Sequence, residues 1–390
     1  MSRFGLEAQL QIYGKGLAGD DGGELPIALE DWKQLARQQL ADGPWGYLEN
    51  GAGSEATMRS NRAAFESWDV RPRMLCDVDD RDLSIRLLGA TLPVPFLLAP
   101  IGVQSILHAD AELAPARAAA HYGIPFILST VSSVDMETVA DAMGGARRWF
   151  QLYPGKDPDI VTSMIARAER AGYSALVVTV DTTMLAWRET DLKHAYLPFL
   201  QGQGMANFTS DPAFLARLHQ HHPQGGMQAV VSEFLAVYVN PAFTWADLRR
   251  IRQQTKLPLL VKGITHPEDA RLAMDLGADG LIVSNHGGRQ VDGAISALDA
   301  LVDIRAALGP TALLLMDSGI RHATDLLKAV ALGAQAVLLG RPYAYALAAA
   351  GETGVKRLLS NFMAELDLQL ALSGYARLSD IDGSYVTRRT

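Results

Sequence analysis

The chain has 390 residues, 48% of them hydrophobic and 20% charged, proportions that exclude extended disorder and supply a large core. Its 35 lysines and arginines against 43 aspartates and glutamates leave a net charge of -8, which argues against nucleic acid as the main partner. The single cysteine, Cys76, excludes an intramolecular disulfide and a Cys-based zinc site, and no apolar run approaches the roughly 18 residues of a membrane span. Met1–Gln11 has neither the basic start nor the apolar run of a secretory signal, so the expectation is a cytoplasmic protein without membrane contact.

In chain order, residues 1–92 contain a helical stretch at Leu29–Gln39 and another around Ala56–Glu66, and form an N-terminal helical cap. Eight short apolar runs follow: Pro93–Gly102, Pro125–Thr130, Arg148–Tyr153, Ala175–Asp181, Leu257–Gly263, Gly280–His286, Ala312–Gly319 and Ala336–Arg341. They are continuously hydrophobic rather than alternating, as parallel strands buried on both faces are. Helical stretches lie between them; Pro267 opens one and Gly277 closes it. This alternation predicts an α/β protein with a (β/α)8 barrel over 93–350, ahead of a doubly wound open sheet. Residues 182–243, after the fourth strand, are a long insertion, and 351–390 form a C-terminal helix and tail, the whole reading as one domain over 1–390. His219, His221 and His222 lie in the insertion without nearby cysteine or an ordered carboxylate pattern, so a solvated loop rather than a metal site is expected.

Active sites of such barrels sit at the C-terminal strand ends. Those ends carry Pro100-Ile101-Gly102, Ser129, Gln151 and Tyr153, Thr179 and Asp181, Lys262, Ser284-Asn285-His286, Asp317-Ser318-Gly319 and Gly340-Arg341. Glycines with Arg321 and Arg341 after the last two strands suit a phosphate, although turn glycines with surface arginines would read the same way. His286 can accept a proton near neutrality and Arg289 can hold a carboxylate, yet His-Gly-Gly-Arg alone is as compatible with a structural turn. Arg188, taken alone, reads as a surface charge. Lys262 ends a strongly apolar strand and needs an anion, a polarised ring or a carboxylate beside it.

The strings Ala99-Pro100-Ile101-Gly102, Phe150-Gln151-Leu152-Tyr153, Val178-Thr179-Val180-Asp181, Val261-Lys262-Gly263, Ser284-Asn285-His286-Gly287-Gly288-Arg289-Gln290, Asp317-Ser318-Gly319-Ile320-Arg321 and Gly340-Arg341-Pro342 resemble the FMN-dependent L-2-hydroxy acid oxidases and dehydrogenases. The likeness runs from about Trp32 to Leu372, and its nearest branch is the lactate 2-monooxygenases, which Ile12–Leu17, Arg71–Leu75 and Pro198-Phe199-Leu200 also resemble. The resemblance implies FMN as cofactor, a small 2-hydroxy carboxylate and O2 as substrates, and a homo-oligomer of four or eight copies. It implies His286 as base with Asp317 stabilising its protonated form, and Arg188, Arg289 and Tyr47 on the substrate carboxylate. Tyr153 would meet the hydroxyl oxygen, and Lys262 would sit against the flavin N1–C2=O edge. Pro100, Ile101, Gly102, Ser129, Gln151 and Thr179 would face the isoalloxazine, Ser284 the ribityl chain, and Gly319, Arg321, Gly340 and Arg341 the phosphate, with no metal involved.

Where relatives carry a small-residue run after the second strand, this chain has Val131-Ser132-Ser133-Val134-Asp135, which leaves side-chain selectivity open. Gly102 matches the lactate monooxygenase pattern, oxidase relatives commonly having alanine there, so the expectation is oxidation with decarboxylation of the keto acid in the site. An oxidase releasing keto acid and H2O2 is the alternative, then a dehydrogenase using another acceptor. An FMN-dependent isopentenyl diphosphate isomerase gives no reason to set His286 beside two carboxylate-gripping arginines, and a non-enzymatic barrel would be colourless.

Overall fold

The structure, a computed structural model, describes residues 4–17 and 25–389; residues 1–3 and 18–24 of the expected cap and residue 390 of the tail lie outside the described residues. Eight parallel strands close into a barrel: β1 (Phe96–Leu98), β2 (Phe126–Ser129), β3 (Arg148–Leu152), β4 (Leu176–Thr179), β5 (Leu259–Ile264), β6 (Gly280–Val283), β7 (Leu314–Met316) and β8 (Ala336–Leu339). β8 pairs with β1, Val337 opposite Phe96, and completes the ring. Seven of the strands lie inside the expected apolar runs and β5 passes the end of its run by one residue, so the expected (β/α)8 barrel is the observed one.

The continuous hydrophobicity has a direct cause. Successive strand residues point to opposite faces, and both faces are dry. Leu97, Ile127, Trp149, Val177, Leu260, Ile282, Leu315 and Leu338 fill the barrel interior, while Phe96, Leu98, Phe126, Leu128, Phe150 and Val178 pack against the surrounding helices. The hairpin Ile85–Leu87/Ala90–Leu92 adds Leu87, Ala90 and Leu92 to the interior cluster and plugs the end from which β1 enters. The polar open end is therefore the C-terminal one.

Helix starts follow their capping chemistry. Asp157 and Asp211 each accept from main-chain N–H groups of the first turn, with Pro158 and Pro212 behind them where no N–H is needed. Pro267 opens Pro267–Asp275, and Gly277 at φ 92° leads the chain out of it. The expected cap helices occupy Leu29–Gln39 and Ala56–Glu66, joined by Phe4–Leu17 and Asp42–Glu49. Trp68–Val70 pairs antiparallel with Val386–Arg388, tying the cap to the tail. Arg341–Leu372 is helical except at Ala350 and Gly351, where non-helical angles divide it into two helical segments.

The insertion departs from expectation. It is not a solvated loop but a folded helical layer, with helices at Glu189–Lys193, Ala206–Thr209, Pro212–His221 and Met227–Tyr238. Phe199, Phe208, Phe214, Phe234 and Tyr238 form its aromatic core, with Phe208 and Phe234 ring centroids 4.9 Å apart. His221 and His222 turn to the buried Glu233 at 3.1 and 3.2 Å, and Arg217 meets the same carboxylate at 2.5 Å. Residue spacing could not show this, because Glu233 comes from the next helix. Among the described residues no helix is long and apolar enough to cross a membrane.

Candidate active site

At the C-terminal strand ends lies a cavity of about 1150 Å³ including its open mouth, lined by cap, barrel and insertion together. His286 enters from the turn after β6, with φ of 58° at His286 and 64° at Gly287. A positive φ at a residue bearing a side chain costs on the order of 1–3 kcal/mol and persists only when surroundings enforce it. Here they do. The Asn285 side chain accepts from Gly288 N at 3.1 Å, and it exchanges hydrogen bonds of 2.9 and 2.7 Å with the Asn61 side chain of the cap. Ser284 Oγ accepts from His286 N at 3.0 Å.

The Nδ1 of His286 stands 2.8 Å from Asp181 Oδ1 and 3.3 Å from Thr182 Oγ1. This assigns the Nδ1 proton to the carboxylate and leaves Nε2, with its lone pair, available to the cavity. Burial would push Asp181 up, but His286 and Lys262 outweigh it and hold the carboxyl at about 2. Burial lowers His286 below its ordinary 6.5, against the pull of Asp181 and with the help of Lys262 and Arg188. The imidazole is thus neutral at neutral pH, ready to accept a proton.

That geometry corrects one expected role. Asp317 does not stabilise His286. Its Oδ2 lies 3.2 Å from Lys262 Nζ and its Oδ1 accepts from Ser318 Oγ at 2.8 Å. Asp181 takes the histidine instead, because β4 and β5 bring its carboxylate between His286 and Lys262. Gly263 is required for this approach: at φ 104°, a Cβ there would stand 2.7 Å from the Asp181 Cβ. Burial opposes the Lys262 charge, yet Asp317 and Asp181 prevail and raise the ammonium above its usual value. Lys262 Nζ also donates to Ser284 Oγ at 3.0 Å.

On the same cavity stand two arginines and a tyrosine. Arg188 and Arg289 lie over the Tyr47 ring, at 5.8 and 5.1 Å from its centroid. Arg289 donates to Asn50 O at 2.8 Å, and Arg188 to Arg289 O and Gln290 Oε1 at 3.1 and 3.0 Å. Far from being a surface charge, Arg188 is 8% exposed. Among the described residues no carboxylate reaches ion-pair distance of Arg289, and Asp191 is 3.9 Å from Arg188. Burial, with Arg188 and Arg341 adding repulsion, draws Arg289 down to about 9. A buried cation without an anion is costly, so this corner is built for one supplied from outside.

Tyr153 lines the same cavity; burial, reinforced by Asp181, pushes its phenol up, so it stays a hydrogen-bond donor. Tyr238, Phe199, Leu185 and Thr182 also line it, and the sequence reading had not selected them as site residues. Tyr238 packs edge-on against Tyr153 with centroids 5.7 Å apart. Its only sequence signal was an aromatic in a long insertion, and only tertiary packing brings it to the barrel mouth.

The residues present fit a flavin mononucleotide. Ala99, Pro100, Ile101, Gly102 and Leu338 give an apolar wall, with Lys262 and Asp317 on the lining as well. Ser129, Gln151, Thr179 and Ser284 are buried at the strand ends beneath the lining. Gln151 Nε2 and Thr179 Oγ1 are buried with no partner among the described residues, a donor and a hydroxyl left for a polar ring edge. Gly319, Arg321, Gly340 and Arg341 converge at the far end, where the helix Arg341–Leu372 begins. Burial, and then the repulsion of Arg341 and Arg62, lowers Arg321 against a weaker pull from Tyr345 and Glu49, and no acid is at ion-pair distance among the described residues. Backbone N–H groups, a helix start and two guanidinium groups suit a phosphate.

Known proteins agree with this architecture. Residues 36–388 match the model of the family described as FMN-dependent dehydrogenase. An L-lactate oxidase of Lysinibacillus sphaericus is 45% identical over 349 residues, covering 90% of this chain and 89% of the relative. Glycolate oxidase 1 of Oryza sativa is 38% identical, covering 93% and 96%. The solved structure of mandelate oxidase with (S)-4-hydroxymandelic acid superposes with a TM-score of 0.83 at 37% identity, over 93% of this chain and 99% of that one. The chain is therefore an FMN-dependent α-hydroxy acid oxidoreductase, a member of the FMN-dependent dehydrogenase family.

Proposed function

We propose that this enzyme oxidises a small L-2-hydroxy acid of the size of L-lactate, with O2 as terminal acceptor, giving the keto acid and H2O2. The observation that carries the reading is the Arg188–Tyr47–Arg289 corner, where Asp191 meets Arg188 at 3.9 Å but no acid among the described residues reaches ion-pair distance of Arg289, on the cavity that a neutral His286 also lines. Val131, Leu185, Phe199 and Tyr238 give the same cavity an apolar lining suited to the side chain of a hydroxy acid. The L-lactate oxidase relatives support the same substrate class.

Bound FMN supplies the two-electron acceptor. Arg289 and Arg188 hold the substrate carboxylate, and Tyr47 orients both guanidinium groups. The Tyr153 phenol donates to the hydroxyl oxygen as it becomes a carbonyl. His286 Nε2 takes the proton leaving the α-carbon or the hydroxyl, and the Asp181 carboxylate, 2.8 Å from Nδ1, stabilises the resulting imidazolium. Lys262, Gln151 and Thr179 would hold the flavin, Lys262 supplying positive charge that favours the reduced, anionic ring. The proposal extends to a cytoplasmic homo-oligomer, in keeping with exposed apolar Met184 and Trp187 beside the cavity-lining Leu185.

Decarboxylation of the keto acid inside the site, giving acetate, CO2 and water from lactate, is a second reading favoured by glycine at 102. Its steric basis is weaker than the sequence suggested. A Cβ at Gly102 would stand 2.5 Å from Val131 Cγ2 and 2.8 Å from Val131 O, so Val131 already fills the space that the missing methyl vacates. Oxidase action therefore stands first. Product analysis from L-lactate in air decides: pyruvate with H2O2 is expected, acetate with CO2 transfers the reading to decarboxylation, and turnover of no small 2-hydroxy acid overturns both.

A further inference from the structure

The wall formed by Ile101, Gly102 and Val131 is stitched together from behind by a residue the mechanism does not use. Glu112, fully buried at the start of the helix Leu113–Tyr122, sends one carboxyl oxygen to two loops at once. Its Oε1 accepts from Gln104 N at 3.1 Å, in the loop after β1, and from Ser133 N at 3.0 Å, in the loop after β2. Val103 N donates to Val131 O at 2.8 Å beside this clamp. Val103 is fully buried and holds φ at 57°, a conformation that a β-branched residue adopts only under constraint. The clamp is that constraint.

The same node is short of a proton. Gln104 Nε2 donates to Ile101 O at 2.9 Å and to Tyr343 OH at 3.2 Å, and Tyr343 OH donates on to Ala99 O at 2.8 Å, which fixes the orientation of the Gln104 amide. Two buried acceptors then remain without any donor among the described residues: Gln104 Oε1 and Glu112 Oε2. A hydroxyl on Oε2 would supply one. The titratable group facing Glu112 from the neighbouring helix is Tyr343; Gln104 and Ser133 from the two loops are neutral, and among the described residues no cation is within ion-pair distance.

We propose that Glu112 is a positioning residue that works as a neutral acid, locking the Ile101–Val103 loop to the Val131–Ser133 loop and so setting the wall beside the substrate. Burial agrees with this, since it pushes the carboxyl up to about 7 against the pull of the backbone donors. Ionisation would leave a buried negative charge with no cation beside it, a cost that the two N–H donors only partly offset, and so favour a loosened wall. The role in substrate turnover rests on the hydroxy acid oxidation argued above, but the clamp itself does not.

The test compares the FMN-loaded wild type with Glu112→Gln and Glu112→Ala. Glu112→Gln keeps the acceptor for both N–H groups and adds a permanent donor. Hydrogen-exchange protection of the Gln104 and Ser133 amides, measured without substrate, should fall in the wild type as pH rises through neutrality. It should stay constant in Glu112→Gln and be low throughout in Glu112→Ala. In parallel, KM for L-lactate should rise about tenfold in Glu112→Ala, kcat changing less, while Glu112→Gln stays near the wild type and loses the alkaline rise in KM. Protection in the wild type that ignores pH, or Glu112→Gln as unprotected as Glu112→Ala, would overturn the proposal. If Glu112→Ala does not fold, the wild type against Glu112→Gln across pH decides alone. A wild type that oxidises no hydroxy acid defeats the functional reading, while the exchange result still judges Glu112.

Discussion

Two regions of this molecule are rich in arginine and histidine, and they use them in opposite ways. In the insertion, Arg217 lies 3.0 Å from Asp157 and 2.5 Å from Glu233, and His221 and His222 close on the same Glu233. Each of these charges has its answer inside the fold. At the barrel mouth, Arg289 and Arg321 are half-buried with no acid at ion-pair distance among the described residues, and His286 is kept neutral. The first arrangement spends its charges on holding helices together. The second keeps them in reserve for anions that the protein does not itself contain. Residue type does not separate the two regions; the presence of a fixed partner does.

If the barrel mouth is the reactive region, the largest effect follows from His286→Ala. FMN should remain bound, while bleaching of the flavin by L-lactate without oxygen slows about 10³-fold or more, within the range of a lost general base. Near-normal bleaching would remove His286 from that role. Next comes Arg289→Met, which should lower kcat/KM by roughly 30- to 1000-fold, or about 2–4 kcal/mol, because the substrate carboxylate loses its buried partner. The substrate-free protein should melt no lower, since an uncompensated buried cation has been removed. A fall in melting temperature without loss of kcat/KM would place Arg289 with the structural arginines.

Asp181→Asn and Asp317→Asn separate the two carboxylates. The wild-type reduction rate should fall on the acid side through a pKa below 6.5, since His286 must be unprotonated and burial lowers it. Asp181→Asn removes the group that pulls His286 upward, so the acid limb should move to still lower pH with a rate loss of about 10- to 100-fold. Asp317→Asn should leave that limb in place and loosen FMN retention through Lys262. The reverse pattern would restore Asp317 as the partner of the histidine. The smallest effect belongs to Arg217→Met in the insertion, about 1 kcal/mol of stability by denaturant unfolding, because the guanidinium is 35% exposed and screened. A large loss of kcat/KM there would dissolve the contrast between the regions.

Much of this could be read in advance, for reasons tied to particular residues. The runs at β4, β5 and β6 announced buried parallel strands because both of their faces are dry, a one-dimensional property. The residues at their ends, Thr179, Lys262 and Ser284, were marked because a barrel places every strand end on one rim. The string Ser284–Gln290 and the arginines at 321 and 341 carried the cofactor and the substrate class through a local pattern. What could not be read was which of these groups meet. Asp317 and Asp181 are equal candidates along the chain, and only strand register puts Asp181 against His286 and Asp317 against Lys262.

The insertion shows the same boundary more sharply. Its histidines were visible as a cluster, but Glu233 lies in a following helix, and Tyr238 reaches the cavity only after that helix packs on Phe199 and Phe234. Gly102 was visible as a missing methyl, but not that Val131, from the next loop, occupies the space. The sequence alone determined the barrel, the cofactor class and the roster of polar groups, because periodicity and contiguous motifs depend on neighbours along the chain. The tertiary structure decided the pairing of charges, the closing wall of the pocket and the node at Glu112, because each depends on distances between segments that the chain order leaves free.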